Sequence, residues 1–293
     1  MTWTTTEDNA AFREAAGPFL RSRPAEHTVL ISITESLRTL GPGRYGDQAP
    51  RYGWWREATG EVAGAFVWTP PYPTQLSPMP SRAAAQLATL LADGPPPVGG
   101  AGGQEAASGA FAAQWAQLTG GDWRVTGRQR LYRLGELAPP VPAPAGRARL
   151  ATPEDRGWLL DWFDAYHRDV GEDATDSARA LDDRLSHGGC TLWEVGGTPV
   201  SMAGVTRASA GMVRVGGVYT PDALRGKGYA GAVVTAVSQA ALDAGVPRVL
   251  LFTDVTNPTS NALYQRLGYR VVGNYVTLAL DPAPVTARPD GAA

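Results

Sequence analysis

The residues whose types and spacing suggest chemistry are Arg225-Gly226-Lys227-Gly228-Tyr229-Ala230. They follow a strand-like run, Met212-Val-Arg-Val-Gly-Gly-Val-Tyr219, in which apolar and small residues alternate. A helix opens directly behind them, with Ala232, Val233, Ala236, Val237, Ala240 and Ala241 on one apolar stripe. It runs to Gly245, placed where a left-handed C-cap is wanted. A glycine-rich turn at a helix start offers free backbone N–H groups and the positive end of the helix dipole. That combination cradles an anion, a phosphate or pyrophosphate above all.

Competing phosphate-binding motifs fit less well. Gly226-x-Gly228-x-x-Gly231 satisfies the dinucleotide fingerprint, and Asp254 after the next strand could pose as its ribose acid. Six residues separate the strand from Gly226, however, and the fingerprint needs its first glycine in the turn itself. A Walker loop fails because glycine, not Ser or Thr, follows Lys227. His167-Arg-Asp169 mimics a kinase catalytic loop but lacks the metal-binding Asn, and no Asp-Phe-Gly follows.

The third reading fits over a longer span. Arg225-x-x-Gly228-x-Ala230 resembles the acyl-CoA loop of the GNAT N-acetyltransferases. Val218-Tyr219-Thr220 stands where that family's fourth strand offers backbone groups to the pantetheine arm. Downstream, a strand over Val249-Leu-Leu-Phe-Thr253 leads to Asn257-Pro-Thr-Ser-Asn261-Ala-Leu-Tyr264-Gln-Arg-Leu-Gly268-Tyr269. This is similar to the family's second signature, an Asn seven residues before a Tyr, then Leu-Gly-aromatic. The resemblance runs from about Arg147 to Leu280, roughly half the chain.

The resemblance implies acetyl-CoA as cosubstrate, no metal, and transfer of the acetyl group to an amine. It makes residues 218–220 and 225–230, with Asn257 and Asn261, candidates for holding the cofactor. Tyr264 is similar to the family's tyrosine acid, which protonates the departing thiolate; a hydroxyl of pKa near 10 suits that role. Many family members place a glutamate base on the fourth strand, but here Val215-Gly-Gly-Val218 has none. Asp254 is the best remaining candidate base, followed by Glu194, His167 and Asp169. The acidic run Asp169, Glu172, Asp173 and Asp176 could favour a cationic amine at the acceptor mouth. The expected acceptor is a small-molecule amine, with a peptide or protein amine, or a non-catalytic acyl-CoA-binding module, as alternatives.

The elements that must position these residues are legible in part. The chain of 293 residues, 43% hydrophobic and 18% charged, can bury a core. A net charge of −2 implies no general affinity for nucleic acid. Lys227 is the single lysine, inside the glycine turn. The lone Cys190 excludes an internal disulfide and a cysteine-based metal site, which suits a reducing cytoplasm. No leader or long apolar run is present, so neither a signal nor a membrane span is expected. A monomer or homodimer is expected.

From the beginning, a helix is predicted over 8–20 and a further element over 28–40. Trp54 to Glu57 and Glu61 to Thr69 read as a hairpin, and helices follow over 81–91 and 105–118. Trp123 to Thr126 and Arg128 to Leu134 read as two strands. Ala138 to Gly146 is a stiff, Pro/Ala-rich linker. Beyond it, Thr152-Pro-Glu-Asp starts a helix whose stripe is Trp158, Leu159, Trp162, Phe163 and Tyr166. A second helix covers 177–185, and a hairpin turns about Gly196-Gly197.

Val62-Ala-Gly64 parallels Met202-Ala-Gly204, and Trp123-Arg-Val-Thr-Gly127 parallels Tyr269-Arg-Val-Val-Gly273, as in a duplicated domain. The first copy has Leu76-Ser-Pro78-Met-Pro80-Ser where the acyl-CoA loop belongs, and proline supplies no N–H. The expectation is an α/β (α+β) protein of two GNAT-like domains, each with a mixed, mostly antiparallel sheet flanked by helices. A degenerate domain is expected over 1–137, the linker over 138–146, the acetyl-CoA-binding domain over 147–281, and a flexible tail over 282–293.

Overall fold

The computed structural model describes residues 1–92, 94, 97–171 and 177–283. It forms two compact units, one of Met1–Gln129 with Gly273–Ala293 and one of Arg130–Val272. The strands form a mixed, mostly antiparallel twelve-stranded sheet, and helices flank the strands of each unit.

The first unit begins with β1 (Thr2–Thr6), α1 (Asn9–Ser22) and α2 (Thr28–Leu40). The Asp8 carboxylate caps α1 by accepting from the Ala10 N–H at 2.7 Å. Then come β2 (Arg51–Arg56), β3 (Val62–Trp68), β4 (Thr74–Leu76), α3 (Ser81–Ala92), β5 (Gly100–Gln104), α4 (Glu105–Thr119) and β6 (Asp122–Leu134). Strands β1 to β4 pair antiparallel in succession, and β4 pairs parallel with β5. Phe66, Trp68, Leu87, Phe111 and Trp115 form the core that α3 and α4 close.

The second unit holds β7 (Arg147–Leu150), α5 (Arg156–Val170), α6 (Ser177–Leu185), β8 (Cys190–Val195) and β9 (Thr198–Val205). It continues with β10 (Met212–Tyr219), α7 (Tyr229–Asp243), β11 (Arg248–Asp254), α8 (Pro258–Arg266) and the start of β12 (Tyr269–Asp281). Strands β7 to β10 pair antiparallel, and β10 pairs parallel with β11. Gly196 and Gly197 both take positive φ, 59° and 83°, as the tight β8–β9 turn requires. Successive strand residues face opposite sides of a sheet, so the neighbours Met202 and Ala203 belong to different cores. Met202 joins Leu159, Phe163, Leu181 and Leu192 under α5 and α6. Ala203 joins Val213, Val215, Val233 and Val237 under α7.

Arg149 ties the start of this unit together. Its guanidinium donates to both oxygens of Asp155, at 2.6 and 2.8 Å, and also to Glu194. Asp155 in turn accepts from the Thr152 N–H at 2.8 Å, completing the capping box that precedes α5. Glu194, a candidate base by sequence, is thus a buried ion-pair partner.

The unit bounds differ from those expected around the linker. The thirteen-residue strands β6 and β12 each change unit along their length, at 129/130 and 272/273. Residues 273–281 return to the first unit, where β12 pairs antiparallel with β5. The expected pair of strands over 123–134 is the single strand β6. All but the first two residues of the expected tail lie outside the described residues.

Candidate active site

The site is built where β10 and β11 part. Their parallel register runs from Met212↔Arg248 to Val215↔Leu251 and stops. On its other side, β10 pairs Gly216 with Gly204 and next Tyr219 with Met202. Three steps along β10 therefore match two along β9, which is a β-bulge. Gly217 supplies the positive φ, 61°, that this bulge needs. The Tyr219 carbonyl accepts from the Ser201 hydroxyl at 3.0 Å. Ser201 also shares a hydrogen bond of 2.8 Å with the Thr220 hydroxyl. A wedge thus opens between Gly216–Tyr219 of one strand and the end of the other.

The glycine turn lies at the end of β10. Gly226 and Gly228 take φ of 78° and 82°, which L side chains resist, and among the described residues nothing comes within 4 Å of a Cβ built at Gly226. The first helical bond runs from the Ala232 N–H to the Gly228 carbonyl at 3.1 Å. The N–H groups of Tyr229, Ala230 and Gly231 therefore precede any helical acceptor. Lys227 is exposed, and Tyr229 and Ala230 are half-buried. Linker residues Pro140 and Pro144 pack beside Gly231 and Gly228.

Arg225 braces this turn. It donates to the Thr220 carbonyl at 2.9 Å and to the carboxylates of Asp169 at 2.5 Å and Asp222 at 2.9 Å. Asp169 is thereby accounted for. Glu172, Asp173 and Asp176 of the acidic run lie outside the described residues. His167 hydrogen-bonds the Ser177 hydroxyl at 2.7 Å and joins α5 to α6.

Tyr264 on α8 is buried, 7% exposed, between the rings of Tyr132 and Tyr269 at 6.5 and 6.0 Å. Burial pushes its hydroxyl pKa well above the ordinary value, with the nearby Tyr166 and Tyr269 hydroxyls adding to it. Among the described residues that hydroxyl takes no hydrogen-bond partner. Asn257 caps α8, accepting from the Ser260 N–H at 3.0 Å and leaving its amide nitrogen over.

Asn261 has no such surplus. Its Nδ2 donates to the carbonyls of Asp254 and Asn257, at 2.8 and 2.7 Å, and its Oδ1 accepts from the Tyr132 hydroxyl at 2.8 Å. It is a buried brace between α8 and β6, so its side chain is spent before any cofactor arrives. Asp254 is exposed, and its Oδ1 holds a turn by accepting from the Thr256 N–H and hydroxyl at 2.6 and 2.7 Å.

Sequence reasoning gave no site role to two residues that the structure brings forward. Tyr166, half-buried on α5, lies within electrostatic reach of both Tyr264 and Arg184. Arg184 on α6 lies against Gly204, Gly216 and Gly217. The only sequence signal was three small residues on two strands, which nothing in the sequence linked to α6.

Residues 158–269 match the family model described as "Acetyltransferase (GNAT) family", and the second unit carries a domain of that family. The glycine turn, Asn257 and Tyr264 all fall within the matched span. No curated protein matches the chain in sequence. Among solved structures, the chain is similar to a GCN5-related N-acetyltransferase of Sphaerobacter thermophilus. The two share 16% identity with a TM-score of 0.62 over 97% of this chain and 98% of that one. It is also similar to a GNAT-family acetyltransferase of Colwellia psychrerythraea, at 12% identity and a TM-score of 0.60 over 97% and 100%. A tandem GNAT protein from the clavulanic acid biosynthesis pathway matches at 16% and 0.56 over 97% and 100%. At such identities the likeness is one of fold, and it spans both units. Among the described residues, no helix is long and apolar enough to cross a membrane.

Proposed function

We propose that the second unit transfers an acetyl group from acetyl-CoA to the primary amine of a small molecule. The observation that carries this reading is the wedge between β10 and β11, opening beside a glycine turn that starts α7. The N–H groups of residues 226–231 would receive the pyrophosphate, and the backbone of Val218, Tyr219 and Thr220, on the side of β10 that has left β11, would receive the pantetheine arm. The Asn257 amide nitrogen would add a donor to that arm.

Within the wedge, the amine nitrogen attacks the thioester carbonyl, the C–S bond breaks, and the thiolate takes the Tyr264 proton. The burial that raises the phenol pKa raises the thiolate's as well, so the difference between the two governs the transfer. The amine's proton goes to water. Strand β10 offers glycines where a carboxylate would stand, and the Asp254 carboxylate is engaged in its own turn.

The first unit is read as a GNAT-like copy without a cofactor site. Its β4–α3 turn contains Pro78 and Pro80, and its Ser77 N–H is already bonded to the Ala65 carbonyl at 2.9 Å. The test is release of the CoA thiol from acetyl-CoA by the purified chain across a panel of small primary amines. Release above the amine-free rate with at least one of them is expected. Acetyl-CoA binding without release for any amine would instead favour a non-catalytic acyl-CoA-binding module.

A further inference from the structure

Arg184, near the end of α6, has a charge that the chemistry above does not use. Its guanidinium lies over the Phe163 ring at 5.4 Å. A Cβ at Gly204 would overlap its Nε and sit 2.8 Å from its Cδ, so glycine lets the side chain lie flat across β9. Cβ atoms at Gly216 and Gly217 would come 3.8 Å from Nη2 and Nη1. Those two glycines form the bulge at which β10 leaves β11, so the guanidinium reaches the wedge from the α5–α6 side.

Among the described residues, no carboxylate accounts for that charge. Nε is closed off from solvent and has no acceptor. Among the described residues, the side chain has neither a hydrogen bond nor a carboxylate partner. Asp183, next to it in the chain, pairs with Arg207 at 3.4 Å. Tyr166 and Cys190 are the other groups within electrostatic reach. Desolvation pulls the arginine below its ordinary pKa, the mark of a cation without a counter-charge. An ion held out of water without a partner is costly, and a planar guanidinium fork is matched by a carboxylate.

We propose that Arg184 receives a carboxylate carried by the substrate pair, which makes the acceptor an amine that also bears a carboxylate, amino acids among them. This rests on the acyl-transfer reading of the wedge. The same chemistry would arise if the carboxylate came instead on a dicarboxylic acyl group, such as the succinyl of succinyl-CoA.

The experiment pairs amino acids with their amides as acceptors for acetyl-CoA, and pairs succinyl-CoA with acetyl-CoA on uncharged amines. Both arms use wild type and Arg184→Met. If the acceptor carries the carboxylate, wild type prefers amino acids over amides by about ten- to a hundredfold in kcat/KM, the worth of a charge-assisted hydrogen bond. If the acyl group carries it, the preference appears for succinyl-CoA. In either case Arg184→Met loses the preference while keeping its acetyl-CoA affinity and melting no lower than wild type, since relief of a desolvated cation offsets the lost Phe163 ring contact. Should no amine be acetylated, the acyl-transfer reading fails separately, and thermal stabilisation by the same amino acids and amides in the presence of CoA decides the Arg184 assignment. No carboxylate preference in wild type in either arm, or the same preference in Arg184→Met, would overturn the proposal. A lower melting temperature in Arg184→Met would also overturn it, marking the arginine as structural.

Discussion

Replacing Gly228 with valine tests the cradle through backbone strain rather than lost contacts. The residue stands at φ 82°, ψ 0°, and a Cβ there meets only Pro144, at an ordinary 3.7 Å. Space is therefore not the obstacle. The left-handed conformation costs a non-glycine residue about 1–2 kcal/mol, at the upper end for a β-branched side chain. The variant would escape that cost by letting the free turn relax away from the geometry that aims its N–H groups. Binding must then restore the geometry, so the acetyl-CoA Kd should rise by about 5- to 30-fold. Because the turn is exposed, the melting temperature should fall only slightly. Calorimetric titration of wild type and variant, with a melting curve for each, measures both quantities. A folded Gly228→Val protein that binds acetyl-CoA as tightly as wild type would refute the reasoning.

Further outcomes follow from particular contacts. The Arg149 guanidinium holds the Asp155 carboxyl down to about 2. A depressed carboxyl contributes stability above its unfolded value near 4 and loses it as pH falls through about 2; with Arg149 31% exposed, that contribution is about 1 kcal/mol. Asp155→Asn should thus melt below wild type at pH 7, with the gap closing between pH 4 and 2; a constant gap would count against the ion pair. Asp254→Asn keeps the Oδ1 that accepts from Thr256, so turnover should stay within about twofold; a hundredfold loss would restore Asp254 as the base. Acetyl-CoA should titrate to one per chain, and a value of two would give the first unit a working site.

The sequence was most informative where one residue type admits one conformation or one period. Helix α7 and its glycine turn each depend on neighbours within a few positions, and both stand in the structure, although the buried face takes in Val234 and Ser238 and leaves Ala240 exposed. Strand β5 escaped notice because Gly100, Gly102 and Gly103 carry no side-chain pattern. They are glycines for a tertiary reason: a Cβ at Gly100 would lie 2.5 Å from the Leu278 carbonyl, and one at Gly103 lies 2.6 Å from that of Leu76. Gly127 made β6 look like two strands, although the strand runs through it. Asn261 read as a ligand because its spacing carries no information about Tyr132, far away in the chain. Arg184 was silent for the same reason, since a lone arginine on an amphipathic helix looks like a solvated residue.

Tyr264→Phe tests the central claim most directly. It keeps the ring between Tyr132 and Tyr269 and removes a hydroxyl that has no partner among the described residues, so the fold should be untouched. If that hydroxyl delivers the proton to sulfur, acetyl-CoA affinity should barely change. Turnover on the amine found by the CoA-release screen should fall by about 10²- to 10⁴-fold, lowering kcat and kcat/KM together. Wild-type turnover by the phenylalanine variant would contradict the account and leave Tyr264 as packing.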